Sequence, residues 1–470
     1  MASNWFASFA LIVWPLVAIW LYASRPVVQA TIWTILAAYL LLPVGTSFKF
    51  AMIPQLDKSS IPSLCALLGC VFVAKRSPQI WRGSGLTEIL IAAYLFGPLI
   101  TSLMNGDAIY VGYSILPGVG LYDGSSAVLG QFIALIPFMI GRQFLRGPNS
   151  PQAVLSALTI GGLAYSLPLL FEIRMSPQLH FWLYGYYSSD FIQQVREDGA
   201  FRPMVFMGHG LIAGFFAMTA TVASAAIWRA KVRLVRFPPG LMTGYLGVVL
   251  VLCKSAAALV YGAILVPLVR WVKPQLQLKV AVVFVTIALC YPVIRVVDVF
   301  PTNAIVDVAM AINEPRAYSL KFRFEQEEQL VARAWQRPLF GWGRFGRNRI
   351  HVEDWQGLAA DTSVTDGRWI VTLGQFGIFG FLAEFGLLAI SVFRAASALR
   401  STETFREAAL LAALALIVSI NVVELLPNST LSPWTWLLAG TLLGCSEAVG
   451  ARARKKKSLR PVVLASEPQV

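Results

Sequence analysis

Charge is scarce in this sequence: Asp, Glu, Lys and Arg make up 13% of the 470 residues, against 57% hydrophobic residues. A chain so short of charge is excluded from the class of ordinary soluble domains and belongs in a bilayer. Histidine is rarer still, with three copies, and the five cysteines (Cys65, Cys70, Cys253, Cys290 and Cys445) all lie inside apolar blocks. They show no metal-ligand spacing and no pair in an exposed loop, so they read as core residues and report nothing about redox compartment. The period-two alternation of an outer-membrane barrel is missing. No basic stretch precedes the first apolar block, so residues 1–23 read as a retained span and not as a signal peptide.

What is present is a series of apolar blocks, each of the length a helix needs to cross about 30 Å of hydrocarbon. They predict an all-α, polytopic transmembrane bundle of 12–13 spans, near 4–24, 29–46, 60–74, 86–104, 126–145, 152–171, 206–228, 240–253, 255–269, 278–297, 369–392, 407–424 and 433–449. The stretch 241–269 is read as two short helices turning near Lys254. Its flanks, RAKVRLVR (229–236) and RWVKPQLQLK (270–279), are both basic and should share one side of the membrane. Arg25, Lys75, Arg76, Arg82, Arg142, Arg146, Arg394, Arg400, Arg406 and the tail RARKKK fall on that same side, which puts the C-terminus in the cytoplasm and the N-terminus outside. The resulting division is 1–171 (N-terminal helices), 172–205 (first large periplasmic loop), 206–297 (central helices), 298–368 (Arg-rich periplasmic loop), 369–449 (C-terminal helices) and 450–470 (basic cytoplasmic tail). The net charge of +14 is accounted for by cytoplasmic anchoring, and with no groove-reading motif nucleic acid is not an expected partner.

Two segments break the charge rule. Between Arg295 and Arg368 lie ten cations, nine of them arginine, on the outer side. Long loops escape the rule, and the bland reading is a solvated face paired with Glu325, Glu327, Glu328, Glu353, Asp354, Asp361 and Asp366. The choice of arginine over lysine favours bidentate contact with phosphate, such as a lipid-linked phosphate or diphosphate. The stretch SLKFRFEQEEQLVARAW (319–335) has helical spacing and predicts an amphipathic helix whose polar face carries Arg323, Gln326 and Glu327. The other segment, 169–210, gathers aromatics with Arg174, Arg196 and Arg202, as if capping the outer end of the bundle. His209, seven residues beyond Arg202, is expected two turns deeper on one helix face, where it could equally be a core histidine.

Three apparent motifs carry no weight. GWGRFG (341–346) has dinucleotide-loop spacing but no strand before it, so its glycines more simply permit tight turns. The NST at Asn428 reads as a turn, and His351, Glu353 and Asp354 have no recognised metal spacing.

The motifs RPMVF (202–206), CKSAAA (253–258), RFEQEEQLVARAWQRPLFGWGRFG (323–346) and DGRWIVTLGQFGIFGFL (366–382) together resemble the O-antigen polymerase and ligase family, over residues 200–382. The resemblance implies a GT-C-like bundle in the bacterial inner membrane, active at its periplasmic face and without cofactor or metal. It also implies a glycosyltransferase that moves a glycan from undecaprenyl diphosphate onto an acceptor hydroxyl. By position, Arg202 and Arg323 match the arginines that hold the diphosphate. Asp366 stands where ligases of the family carry histidine, which favours a polymerase acting on lipid-linked repeat units over a ligase and makes Asp366 the expected base. His351, His209 and Asp361 are alternatives in that role. Arg333 and Arg344 are expected to recruit the anionic donor, with Arg196, Arg174 and His351 as further substrate-binding candidates. The implied partners are an undecaprenyl-diphosphate-linked oligosaccharide, membrane lipids and other polysaccharide-assembly proteins. A transporter without chemistry is the rival class, but it would need an internal repeat and more charges within spans than Glu88 and Glu384.

Overall fold

The computed structural model describes residues 3–458 except 51–52, 78, 80–84, 190, 196–198, 235–236 and 313. The apolar blocks become helices α1 (Trp5–Ser24), α2 (Val27–Leu41), α3 (Ser60–Leu68, continued by a π-turn to Val73), α4 (Leu86–Leu103), α5 (Leu121–Phe144) and α6 (Ser150–Met175). After a short α7 (Leu179–Tyr184) come α8 (Gly210–Arg229), α9 (Pro239–Leu252), α10 (Ala256–Trp271) and α11 (Pro274–Val296). Helices α12 (Thr302–Ile312) and α13 (Glu314–Trp335) lead to α14 (Arg368–Ala398), α15 (Phe405–Glu424) and α16 (Pro433–Ser458). Among the described residues, eight helices are long and apolar enough to cross a membrane: α1, α4, α5, α6, α8, α11, α14 and α15. Helices α2, α3, α9 and α10 are apolar but shorter. The chain is therefore an all-α polytopic membrane bundle.

Its surface supports this. Large apolar side chains such as Ile12, Leu16 and Trp20 on α1, Val248 and Val251 on α9, and Val283 and Ile287 on α11 are exposed, as helices facing lipid require. Helices α8 and α15 are instead buried along almost their whole length. Helix α16 lies against α5 so closely that a Cβ on Gly440 would sit 2.1 Å from the Phe138 carbonyl oxygen, and one on Gly444 2.3 Å from that of Arg142. Small residues that let backbones approach are how helices associate in lipid, where apolar surface alone gives no drive.

The two ends of the bundle differ. One is held by ion pairs between helix ends: Arg142 with Glu88 (2.9 Å) and Glu447 (2.6 Å), Arg452 with Glu407, and Lys456 with Glu403 (2.6 Å). The other carries three small hairpins, β1–β2 (Ser47–Phe50 with Ile53–Asp57), β3–β4 (Ile109–Val111 with Ser114–Leu116) and β5–β6 (His351–Glu353 with Ala359–Asp361), together with α7, α12 and α13. Lys254 has φ +51° in the tight turn between α9 and α10, as the two-helix reading of 241–269 anticipates.

Helix α14 is not the straight span expected for 369–392. It breaks at Gly377, whose φ is +66°. A straight helix would hold Arg368 and Glu384 about 24 Å apart, yet their side chains pair bidentately, Nε to Oε1 at 2.7 Å and Nη2 to Oε2 at 2.6 Å. The chain therefore turns back on itself at Gly377. The segment 338–343 fills the break: Trp342 and Gly343 donate to the Gly374 and Gln375 carbonyls, while Ile378 and Phe379 donate to the Pro338 and Leu339 carbonyls. Both severed helix ends thus recover backbone partners that a bilayer would not supply.

Candidate functional site

The site is built around the start of α8. Residues 202–209 do not form the helical turns expected between Arg202 and His209, because His209 is the N-cap, with extended backbone, and the helix begins at Gly210. The reason lies in α6. The Glu172 carboxylate accepts from the amides of Met204 (2.8 Å) and Val205 (2.7 Å) with Oε2, and from that of Leu179 (3.0 Å) with Oε1. The Tyr165 hydroxyl accepts from the Phe206 amide, and the Lys58 ammonium donates to the Phe206 carbonyl at 2.6 Å. Val205 and Gly208 take positive φ within this turn. A chain whose amides are bound from outside cannot also form helical hydrogen bonds.

The turn lays the buried Arg202 side chain across Gly210, where an added Cβ would meet its Cγ and Cδ at 2.3 Å. Arg202 Nε is buried and has no hydrogen-bond partner among the described residues. His209 Nδ1 accepts from the Leu211 amide at 3.1 Å, so the neutral ring carries its proton on Nε2 and offers a donor. Burial lowers the His209 pKa, Arg323 lowers it further, and Asp366 acts the other way, so the ring lies within electrostatic reach of both. Arg323 and Asp366 form an ion pair, Nε to Oδ2 at 3.2 Å, with each side chain about two-fifths exposed (41% and 39%). The structure therefore gathers Arg202, His209, Arg323 and Asp366 at one helix N-terminus, itself a preferred place for anions.

Arg323 is held by α13, an amphipathic helix as expected, whose polar residues work against the bundle. One turn on from Arg323, Glu327 accepts from Tyr291 (3.0 Å) and pairs with Arg295 (3.3 Å). Burial raises the pKa of Glu327. Gln326 accepts from the Val364 amide at 2.9 Å, which ties the segment leading to Asp366 onto the same helix.

The other arginines of the loop divide. Arg333 and Arg337 lie over the Trp342 ring, 3.4 and 4.2 Å from its centroid. Arg333 also donates to Gln336 and to the Arg347 carbonyl, and Arg337 pairs with Asp107 at 2.7 Å. Arg347 is buried, bonding the carbonyls of Trp342 and Pro117, and Arg349 pairs with Asp361. These groups hold the loop in shape. Arg344 differs: half-buried, it reaches towards α5, where a Cβ on Gly130 would meet it at 3.4 Å, and no carboxylate pairs with it directly among the described residues. Burial lowers its pKa. Arg174 is exposed at the end of α6, and His351 lies on β5 in a separate groove with Tyr110, Gln329 and Arg349. Arg196 lies outside the described residues. No group of three or more His, Cys, Asp or Glu side chains converges among the described residues.

Sequence reasoning passed over Lys58, half-buried beside the Tyr39 ring and lining one cavity with His209. Burial pulls its pKa down to about 7. Its one signal was to be a cation ahead of an apolar block at the end where the loops 105–125 and 424–433 carry none. Neither a scan of protein-family models nor a search of curated proteins finds a match to this chain.

Proposed function

We propose that the protein is a glycosyltransferase of the bacterial inner membrane, a polysaccharide polymerase that transfers glycan from undecaprenyl diphosphate to a lipid-linked acceptor at the periplasmic face. The observation that carries this reading is the convergence of Arg202 and Arg323 on the His209-capped start of α8, beside Asp366. Two guanidinium groups and a helix N-terminus suit a leaving diphosphate, whose charge grows as the bond to the anomeric carbon breaks. An incoming phosphate competes with Asp366 for Arg323, and once displaced the carboxylate is free to take the proton of the acceptor hydroxyl. The hydroxyl oxygen bonds the anomeric carbon, the electron pair leaves with the diphosphate, and the proton goes to Asp366. Arg344 and the helices at the loop-rich end complete the donor site, and the basic C-terminal tail faces the cytoplasm.

The test is a deletion strain complemented with wild type or Arg323→Ala, with membrane insertion checked. The variant is expected to lose at least 100-fold in transfer rate, the scale of removing one charge-stabilising donor, and to accumulate single repeat units on the carrier lipid. Long chains stranded on the carrier would mean a ligase. Wild-type glycan profiles from a correctly inserted variant would reject the assignment.

A further inference from the structure

His209 belongs to two environments. Besides Arg323 and Asp366, it lines a cavity of about 390 Å³ whose walls include Tyr39, Lys58, Ile212, Thr430 and Ser432. A smaller recess shares Tyr39, Ile212, Thr430 and Ser432 with that cavity and ends at Asn421, Glu424 and Asn428. The two spaces therefore adjoin at these residues.

The chemistry here is unlike the arginine side. No arginine lines either space, and the one lysine is deprived of much of its charge by burial. Val44, Pro62, Ile212 and Leu431 supply apolar surface, while Thr430, Ser432 and His209, whose Nε2 carries the proton, supply uncharged polar groups. At the far end, Glu424 Oε1 accepts from Asn428 Nδ2 at 2.6 Å. Its Oε2 is buried, with the Tyr261 hydroxyl beside it and no strict hydrogen bond formed among the described residues. A carboxylate oxygen has two lone pairs, so even with the Tyr261 hydroxyl beside it this buried acceptor has capacity for a further donor. A phosphate has no hydroxyl donors to spare at neutral pH and would face that carboxylate. A neutral sugar ring fits each feature, with an apolar face for the walls, hydroxyls to donate to Glu424, and a size within the ordinary range of ligand pockets.

We propose that this cavity binds a neutral sugar ring, that of the acceptor, so that His209 divides an anion-binding donor side from a charge-poor acceptor side. The proposal rests on the transferase reading. Its test uses purified protein in nanodiscs, undecaprenyl diphosphate alone, and methyl glycosides of hexoses, 6-deoxyhexoses and N-acetylhexosamines, with binding followed by ligand-observed NMR. At least one glycoside is expected to bind. Thr430→Trp, which fills the shared wall, should weaken that glycoside ten-fold or more and leave undecaprenyl diphosphate unaffected, and Arg323→Ala should do the reverse. If Thr430→Trp loses both ligands the fold has been damaged, and Glu424→Gln decides, with selective loss of the glycoside expected and unchanged binding overturning the site.

Diphosphate binding with no glycoside binding would overturn the acceptor cavity and leave the transferase reading intact. Failure of folded wild type to bind diphosphate would remove the reading itself. With lipid-linked donor present, the bound glycoside should emerge extended by donor sugar. Inhibition without extension would assign the cavity to the donor's own sugar and overturn the acceptor role.

Discussion

Glu172 decides where Arg202 lies. A single carboxylate binds three backbone amides from two loops, and the two at Met204 and Val205 fix the turn that carries Arg202 over the start of α8. Glu172→Gln offers one acceptor oxygen where two are needed and turns an amide donor toward other donors. Hydrogen bonds to a charged group are worth about 1.5–3 kcal/mol, and orphaned buried donors cost as much again. A loss of about 2–4 kcal/mol is therefore expected, read as a lower melting temperature in detergent, together with a fall in transfer rate approaching that of Arg202→Ala. An unchanged melting temperature with full activity would show that the turn holds itself. Arg202, Arg323 and Asp366 were legible as charges flanking apolar blocks, but it was the resemblance of RPMVF, RFEQEEQLVARAWQRPLFGWGRFG and DGRWIVTLGQFGIFGFL to the polymerase and ligase family that set them apart from the other cations and carboxylates. Glu172 looked only like the edge of a block, and Lys58, 148 residues from its partner Phe206, had nothing nearby in sequence to pair with. The pairing of Arg323 with Asp366 across 43 positions was likewise beyond any local pattern.

At the scale of elements, apolar length predicted where helices lie, and each of the thirteen expected spans coincides with one. It could not predict the reversal in α14, because a run such as RWIVTLGQFGIFGFL has the composition of a single span. The reversal depends on a plug drawn from a different part of the chain. A Cβ at Gly377 would lie 2.2 Å from the Leu339 carbonyl oxygen, on a backbone whose positive φ already disfavours any side chain. Gly377→Ala is therefore expected to push out the 338–343 plug, exposing the carbonyls of Gly374 and Gln375 and loosening the arginine loop packed behind them. Protease digestion of membranes should cut near 333–349 at least ten times faster than in wild type, while Gly244→Ala on α9, where an added Cβ meets nothing within 4 Å, serves as the comparison. Equal cutting rates in wild type and Gly377→Ala would mean the plug is held by the Trp342 stack alone.

For the whole molecule, the loop-rich end combines burial with titratable cations, and this gives stability a direction in pH. Lys58 has its folded pKa lowered to about 7 from 10.5, so between those values the unfolded chain binds the proton more readily than the folded one. Stability is then full above the unfolded value and falls as pH drops toward 7. Burial lowers His209 and His180 as well, which extends the same slope below 6.5 as each resists protonation in the folded state. The groups around Lys58 are Tyr39, His180 and His209. The neighbouring Tyr184 and Tyr186 are pushed upward by burial and stay protonated throughout the window from 7 to 9.5. Over that window Lys58 should contribute about 3 kcal/mol to the pH dependence. In nanodiscs, the wild-type melting temperature is accordingly expected to rise between pH 7 and 9.5. In Lys58→Met, which keeps the side chain's length without its charge, the rise should largely vanish. If the variant keeps the wild-type slope, the lysine is hydrated in the folded state and the cavity beside it is open to bulk water, which would also weaken its claim to a neutral ligand.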